Sequence, residues 1–387
     1  MIASRTSTSR PHDTGTKLVE FKNPAGPGSG RPFLSAAPNG STVLSWLEPV
    51  NERDLALRFS IRKGDEWSEP RTVATSHFFN HHAAVLPAVR VLANGSLVSY
   101  WTHRGEFGPE SEEVYSAISS DGGLHWSKPV ILHQDSSRTE HSLVSMTSIG
   151  NEASIVWLEE RRSATNGSTA LMQRSWRSNG TLGPEITLDG DVCDCCPTAS
   201  GVTAKGIIVA YRDHTPDNIR DISIVRREKN RWTKPRLLHS DNWHINGCPA
   251  NAADLATNGD QKVVVAWFTA PNDKPHVNMA FSDDAGDTFS EPIAIDNGQP
   301  GGRASVALLP DGSAVVSWLE RSPAKVQLLV RYVAANRHIG SVTTVVFGDP
   351  SALGYPRITS AGDQAILAWT ERGTSSSIHT AFVSAAK

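Results

Sequence analysis

The sequence has little that would place the protein in a membrane or on a nucleic acid. Its apolar runs stay well below the roughly 18 residues that cross a bilayer, and Lys and Arg are scattered without basic blocks in a chain of net charge −3. We therefore expect no membrane span and no nucleic-acid partner. The amino-terminal stretch MIASRTSTSRPHDTG also lacks the apolar core of a secretory signal. This leaves a cytosolic protein or the mature form of a periplasmic or secreted one.

Cysteine is also scarce, and its distribution is uneven. Of the four cysteines in 387 residues, Cys193, Cys195 and Cys196 fall within DVCDCCPTAS, and Cys248 lies in NGCPAN. A chain of this length can bury a large core without cross-links, so the effect of the cluster is expected to be local. Disulfides, a metal site and a reactive thiol all fit the composition, and the even count favours disulfides in an exported protein.

What the sequence does contain is a repeat. A short apolar strand ending in an aromatic residue occurs seven times, and consecutive copies are 51 to 56 residues apart. The landmark aromatics are Trp46, Trp101, Trp157, Tyr211, Trp267, Trp318 and Trp369. So regular a period indicates stacked supersecondary units rather than one irregular domain.

Each repeat predicts four antiparallel strands. Asn39-Gly40, Asn94-Gly95 and Asp311-Gly312 precede a landmark strand and are typical of type I′ hairpin turns. Four strands per radial repeat predict an all-β fold, a β-propeller of seven blades, with six blades as the alternative. The last repeat has only three strands, so we expect the segment 17–23 to supply the fourth and close the ring. Residues 1–16 are then expected to be a disordered tail, and 17–387 a single propeller domain.

Two turns carry a resemblance to a known family. Residues 119–126 and 282–289 both read S-x-D-x-G-x-[TH]-[WF], which resembles the Asp-box of sialidase-type repeat proteins. In physical terms, Asp121 and Asp284 can accept turn amide hydrogens, while Trp126 and Phe289 pack between sheets. The resemblance implies a sialidase-like propeller, and the motif itself is structural.

The first strands of the blades line the central channel, so residues near their starts are expected to meet at one mouth. Counting 15 residues back from the landmark gives Arg31, Cys196 and Arg303 in the same register. Near the same point of the other blades lie His81, His82, Glu140, His141, Cys248, Tyr355 and Arg357. The mouth is thus predicted to have an arginine side and a cysteine/histidine side.

The arginine side fits an anion, since guanidinium groups suit bidentate carboxylate recognition. The resemblance to sialidases implies that Arg31, Arg303 and Arg357, with Arg212 nearby, bind a ligand carboxylate. It further implies Tyr355 as a nucleophile assisted by Glu371 or Glu159, and Asp213 or Asp217 as the acid/base group. The alternative is that these arginines pair with neighbouring acids and that the charged loop around Asp213 is solvated.

On the other side, Cys196 and Cys248 begin the first strands of neighbouring blades. A disulfide between them would close a loop of about 52 residues and add roughly 4 kcal/mol of stability, and Cys193 and Cys195 can pair with each other or with these. Alternatively, the thiolates with His82 and His141 would suit copper(I) or zinc.

Taken together, these features predict a sialidase-like propeller that binds an acidic glycan or a small anion at its mouth. If the protein is an enzyme, the resemblance implies an exo-sialidase-like glycoside hydrolase. A copper- or zinc-binding protein and a non-catalytic interaction propeller remain the alternatives.

Overall fold

The computed structural model describes residues 15–137, 139–161, 168–322, 325–349 and 352–386. Residues 1–14 of the expected tail lie outside this part of the chain. The described residues form thirty β-strands and one short 3-10 turn at Pro271–Asp273. Among them, no helix has the length and apolarity that a bilayer crossing requires.

The strands follow one another blade by blade. The chain begins with β1 (Thr16–Phe21). Blade 1 contains β2 (Gly30–Ala36), β3 (Thr42–Pro49), β4 (Leu55–Lys63), β5 (Glu66–Trp67) and β6 (Arg71–Ser76). Blade 2 contains β7 (Ala88–Val91), β8 (Leu97–Arg104), β9 (Glu112–Ser119) and β10 (Val130–Ile131). Blade 3 contains β11 (His141–Ile149), β12 (Glu152–Arg161), β13 (Ser168–Arg177) and β14 (Leu182–Val192).

The second half of the chain repeats the arrangement. Blade 4 contains β15 (Ala199–Thr203), β16 (Gly206–Arg212), β17 (Ile222–Glu228), β18 (Arg231–Trp232) and β19 (Arg236–Leu237). Blade 5 contains β20 (Ala253–Thr257), β21 (Val263–Thr269), β22 (His276–Ser282) and β23 (Ile293–Ala294). Blade 6 contains β24 (Pro300–Leu308), β25 (Ala314–Arg321), β26 (Val326–Val333) and β27 (Ile339–Gly348). Blade 7 contains β28 (Arg357–Ala361), β29 (Gln364–Arg372) and β30 (Ser376–Ala385).

The seven sheets form a closed ring. Each first strand contacts the first strands of the blades on both sides, and β1 pairs antiparallel with β30 from Thr16 opposite Ala385 to Phe21 opposite Thr380. The amino-terminal strand is therefore the outer strand of blade 7, as predicted, and it begins one residue before the expected Lys17. Seven blades, rather than six, and the closing strand are confirmed.

The core lies between neighbouring sheets. Every landmark aromatic is at most 2% exposed, and the second strands are buried along nearly their whole length, as in β3, β21 and β25. The largest fully buried side chains include Trp46, Trp101, Trp157, Trp267, Trp318 and Trp369. Burial of these large rings explains why an aromatic residue recurs at this position of every repeat.

The hairpins are tight, but they differ from the expected type I′ turns. Only the glycines, Gly40, Gly95 and Gly312, have positive φ, at 78°, 85° and 86°. The preceding Asn39 does not have a positive φ, and its side-chain oxygen accepts the Ser41 backbone N–H at 3.1 Å. This is the three-residue loop that ends in a left-handed glycine.

The two Asp-box turns have the expected chemistry. Asp121 accepts the backbone N–H of His125 at 3.0 Å, and Asp284 accepts that of Thr288 at 2.9 Å. The Trp126 ring meets Phe59 of blade 1 edge-on, with ring centroids 5.9 Å apart. The turns therefore fix the outer strand and join neighbouring blades, which is a structural role.

Candidate functional site

The starts of the first strands and the ends of the second strands lie on the same face of the propeller. On this face, a cavity of about 470 Å³ opens between blades 7, 1, 2 and 6. We call it the mouth cavity. Its polar lining comprises Arg31, His81, Arg303, Tyr355, Thr370, Arg372 and Ser376.

Two arginines enter the mouth cavity in the same backbone conformation. Arg31 has φ 56° and Arg303 has φ 55°, both in the left-handed region. In each blade the pairing register of the first strand shifts at this point, between Gly30 and Phe33 in blade 1 and between Gly302 and Ser305 in blade 6. The bulge re-aims one side chain, and here that side chain is an arginine directed to the mouth cavity.

Arg31 is only partly satisfied by the protein. One of its terminal nitrogens donates to the His81 carbonyl oxygen, whereas its buried Nε has no hydrogen-bond partner within the described residues. Burial, and then the nearby charge of Arg372, lower the pKa of Arg31 to about 10. An anionic ligand in the cavity would offset the burial and the repulsion by Arg372, and would thereby raise the pKa of Arg31 again.

Tyr355 lies beside Arg303. The guanidinium carbon of Arg303 is 4.8 Å from the centre of the Tyr355 ring, and the Tyr355 hydroxyl donates to the Ala250 carbonyl oxygen at 2.5 Å. Burial raises the pKa of Tyr355 to about 12. The structure thus places Arg31, Arg303 and Tyr355 in one cavity, as the sequence predicted. The tyrosine is neutral and donates a hydrogen bond.

The two carboxylates suggested as partners of Tyr355 are engaged elsewhere. Glu371 accepts the indole N–H of Trp369 at 2.8 Å, and Glu159 accepts that of Trp157 at 3.3 Å. The same contact joins Trp46 to Glu48 at 2.9 Å and Trp318 to Glu320 at 2.7 Å. A repeated Trp-x-Glu is therefore a structural element of four blades, and its recurrence in the sequence is the signal that could have indicated this role.

Arg357 does not line the mouth cavity. This corrects the expectation that Arg31, Arg303 and Arg357 bind one ligand carboxylate together. Its guanidinium forms an ion pair with Asp254 at 3.0 Å and stacks over Phe33 at 5.0 Å, inside the channel near Arg90. A shift of three residues along a strand displaces a side chain by about 10 Å. The three-residue phase difference of Arg357 from Arg31 and Arg303 therefore places it deeper in the channel.

Arg212 is likewise a structural residue in this arrangement. It is 1% exposed and donates to the carbonyl oxygens of Asn251, Arg220 and Phe268 at 3.0, 2.5 and 2.7 Å. These bonds join blade 4 to blade 5. The Arg212 guanidinium, which was expected to bind a ligand, therefore binds backbone carbonyl groups instead.

Asp213 follows Arg212 but lies outside the mouth cavity lining. Its carboxylate accepts the Ser223 hydroxyl and the His214 backbone N–H, at 2.9 and 2.8 Å. Burial raises its pKa, as a general acid requires. The lining of the mouth cavity therefore includes Tyr355 but not Asp213, the two groups that the resemblance assigned to one reaction.

The cysteines divide into a bonded and an unbonded pair. Cys195 and Cys248 form the disulfide, 53 residues apart, in place of the Cys196–Cys248 pairing considered first. The Sγ atoms of Cys193 and Cys196 lie 3.2 Å apart, and that of Cys193 lies 3.7 Å from Cys195 Sγ. The hydrogen bond between Cys193 and Cys196 lowers the pKa of Cys193 to about 6, whereas burial raises that of Cys196.

The expected single Cys/His metal set separates into two places. Cys193, Cys195 and Cys196 form one compact group of possible ligands, while His141 belongs to others, with His133 and Glu113 or with Asp135 and Glu159. His82 is exposed, with its backbone N–H bonded to Asn80 at 2.8 Å, and it belongs to neither group. Sequence reasoning missed His133, because it lies in a linker and not at a strand start.

Comparison with known proteins finds similarity of fold. No family model and no curated protein matches the sequence. A protein of unknown function from Dyadobacter fermentans is 15% identical, with a TM-score of 0.53, over 96% of this chain and 100% of that one. An α-L-arabinofuranosidase of Fusarium graminearum, solved with arabinobiose, is 12% identical, with a TM-score of 0.52, over 79% and 94%.

Sialidases are also among the similar structures. A mutant sialidase from Streptococcus pneumoniae is 10% identical, with a TM-score of 0.49, over 96% of this chain and 95% of that one. The chain has the seven-bladed β-propeller fold that the repeat predicted. At these identities the similarity concerns the fold alone, so function has to be argued from the site.

Proposed function

We propose that the protein binds a small carboxylated ligand, such as an acidic sugar, in the mouth cavity. The observation that carries this proposal is the pair Arg31 and Arg303, two arginines in the same bulged conformation that line one cavity. A third arginine, Arg372, stands at the rim, exposed. Three guanidinium groups without a carboxylate in the cavity lining create a site that favours an anion.

The dimensions of the cavity suit a monosaccharide. Its volume of about 470 Å³ lies in the usual range for small-molecule sites, and a few convergent polar groups in such a site fix the orientation of a ligand. Thr370 and Ser376 supply hydroxyl groups beside the arginines. These groups can bond sugar hydroxyls while the guanidinium groups bind the carboxylate.

Binding is better supported than hydrolysis. A nucleophilic tyrosine needs a base to take its proton, whereas the Tyr355 hydroxyl donates to the Ala250 carbonyl oxygen and Glu371 is bonded to Trp369. We therefore assign Tyr355 the role of supporting Arg303, and the exo-sialidase activity implied by the resemblance stays a secondary possibility for the assay below.

The test is calorimetric titration with N-acetylneuraminate and glucuronate, using glucose as a neutral control ligand. We expect the acidic sugars to bind and Arg31→Gln or Arg303→Gln to weaken binding by about 10- to 100-fold, since one charge-assisted hydrogen bond is worth about 1.5–3 kcal/mol. Arg372→Gln should weaken it less. Arg321→Gln is the matched control, because Arg321 occupies the corresponding Trp-x-Glu-Arg position of blade 6 outside the cavity lining.

Equal binding of glucose, or unchanged affinity in Arg31→Gln, would exclude the proposal. A fluorogenic sialoside should be bound without turnover. Release of its fluorophore by the natural sequence but not by Tyr355→Phe would establish sialidase activity instead.

A second function is favoured by the cysteine geometry. The ligand atoms of Cys193, Cys195 and Cys196 lie within 4.8 Å of one another, and soft thiolates select copper(I) or zinc. Reduction of the Cys195–Cys248 disulfide would make all three available. Competition with a copper(I) chelator tests this function. Binding should appear only after reduction and be lost in Cys193→Ser.

We also propose an exported location, periplasmic or extracellular. The Cys195–Cys248 disulfide supports it, because such bonds persist in oxidising compartments. Fractionation of the source cells, with the redox state of Cys195 followed by alkylation, tests the location.

A further inference from the structure

The central channel contains a second pair of arginines, separate from the mouth cavity. A cavity of about 330 Å³ is lined by residues from the first strands of all seven blades, and a smaller one of about 60 Å³ adjoins it on the side of blades 2, 3 and 4. Arg90, Asp254 and Arg357 line both cavities, and no other charged residue of the described chain lines either one. We call these three residues the channel site.

Arg90 has no counter-ion. Its side chain forms no hydrogen bond or ion pair with a described residue, and its buried Nε is without a partner. The guanidinium carbon lies 5.9 Å from the centre of the Phe33 ring. Burial is the main reason that the pKa of Arg90 falls to about 10, although the side chain stays partly exposed because it faces the channel.

The one carboxylate of the channel site is engaged with other groups. Asp254 pairs with the Arg357 guanidinium at 3.0 Å. It also accepts the Ser305 hydroxyl at 2.7 Å and the Val306 backbone N–H at 3.0 Å. The single charge of Asp254 can offset only one of the two guanidinium groups.

Tyr100, which lines the smaller cavity, supplies no negative charge. Its hydroxyl donates to the Val144 carbonyl oxygen at 2.9 Å, and burial raises its pKa, so the ring is neutral at physiological pH. The channel site therefore carries one net positive charge.

The hydrogen-bond donors at this charge need an acceptor. Guanidinium groups have donors only, so Arg90 and Arg357 cannot satisfy each other. Ser200 lines both cavities, and its buried hydroxyl has no hydrogen-bond partner among the described residues. An uncompensated charge enclosed by protein is costly unless an opposite charge accompanies it. An anion in the channel would accept hydrogen bonds and offset the charge.

The size of the smaller cavity limits the anion. One water molecule needs about 10–15 Å³ of such space, so about 60 Å³ admits a small inorganic ion but no sugar. One net charge favours a monovalent ion.

We propose that the channel site binds one monovalent inorganic anion of the chloride class, in contact with Arg90 and Arg357 and with the Ser200 hydroxyl. The anion joins the first strands of blades 2, 4 and 7 and thereby stabilises the closed ring. The site shares no lining residue with the mouth cavity.

The first test is thermal melting of the full chain at constant ionic strength, as sodium isethionate, whose anion is larger, is replaced by sodium chloride or bromide. An ion that binds only the folded chain stabilises it by mass action. We expect the melting temperature of the natural sequence to rise by at least about 2 °C, and that of Arg90→Gln to stay constant.

Two control variants should keep the full rise. Arg331 resembles Arg90, since its guanidinium carbon lies 5.9 Å from the Trp318 ring and its buried Nε has no described partner, but it lines neither channel cavity. Arg331→Gln thus controls for the loss of a stacked arginine. Arg31→Gln controls for an anion bound in the mouth cavity instead.

The second test locates the ion directly. Crystals of the natural sequence soaked in sodium bromide should show an anomalous peak in hydrogen-bond contact with the Arg90 guanidinium. The proposal is overturned if the rise is absent, if it persists in Arg90→Gln, if it disappears in Arg31→Gln, or if the channel holds no bromide. Should Arg90→Gln fail to fold, the bromide position decides.

Discussion

Arg31 and Arg303 adopt the same left-handed backbone conformation, φ 56° and 55°, at the same position of blades 1 and 6. This region costs a residue with a β-carbon about 1–2 kcal/mol, and glycine much less. An arginine is held there at two symmetry-related positions, where each side chain reaches the mouth cavity. Backbone strain and ligand binding are thus expected to coincide in these two residues.

At both positions we expect glycine to be more stable than alanine. The free energy of unfolding of Arg31→Gly should exceed that of Arg31→Ala by about 1 kcal/mol, and the Arg303 pair should behave alike, as measured by urea denaturation. All four variants should lose the acidic ligand. At Arg357, which has an ordinary strand conformation, the order of the two residues should reverse. Equal stability of the glycine and alanine variants at Arg31 would show that the backbone at this position is not strained.

The Trp-x-Glu contacts predict a graded loss of stability. Glu320 is 4% exposed and accepts the Trp318 indole N–H together with the Asn297 and Gln299 backbone N–H groups, at 2.7, 3.1 and 2.8 Å. Glu320→Ala leaves these donors unsatisfied and should cost about 3 kcal/mol, whereas Glu371→Ala should cost about 1 kcal/mol. Denaturant unfolding measures both.

Glu371→Gln supplies the control for a catalytic role. Its amide oxygen can still accept the indole hydrogen, so the variant should fold and bind acidic sugars as the natural sequence does. A large loss of binding or turnover in this variant would mean that Glu371 acts on the ligand.

The unbonded cysteines predict a second disulfide. The Sγ atoms of Cys193 and Cys196 are 3.2 Å apart, and the hydrogen bond between them lowers the pKa of Cys193 to about 6, which favours the reactive thiolate at neutral pH. Protein purified without reductant should therefore have an intact mass lower by four hydrogens than the reduced chain. A deficit of two hydrogens would leave Cys195–Cys248 as the single bond.

The Asp-box turns predict a specific dependence of stability on pH. Partial burial opposes it, but hydrogen bonds from Thr288 and Ser282 lower the pKa of Asp284 to about 2. Because the folded-state pKa lies below the unfolded value of about 3.9, the contribution of Asp284 is complete above that value and is lost as the pH falls towards 2.

Asp284→Ala should lower the free energy of unfolding by about 1–2 kcal/mol at pH 7, and by less at pH 2. The neighbouring Asp283 pairs with Lys262 and Arg337 at the surface, so Asp283→Ala is the control, with a cost of about 0–1 kcal/mol. Thermal melting from pH 7 to pH 2 follows both. A difference for Asp284→Ala that does not shrink with acidification would contradict the assignment.

The sequence by itself determined the architecture, because the relevant signals are local or periodic. The recurring landmark aromatics indicated the blades, Asn39-Gly40 and its equivalents the hairpins, and the three-stranded last repeat the closing role of β1. The common register of Arg31 and Arg303 was also visible, since each lies 15 residues before the landmark tryptophan of its blade.

Only the tertiary structure decided how side chains from different blades meet. The pairing of Cys195 with Cys248 and the depth of Arg357 in the channel depend on distances between segments that the chain places far apart. The stacking of His133 on His141 depends on an irregular linker. Periodicity gives the height of a residue in the channel, but contacts depend on differences of a few ångströms that bulges and loops introduce. That is why the arginine side was foreseen in part and the pairing of Cys195 with Cys248 was not.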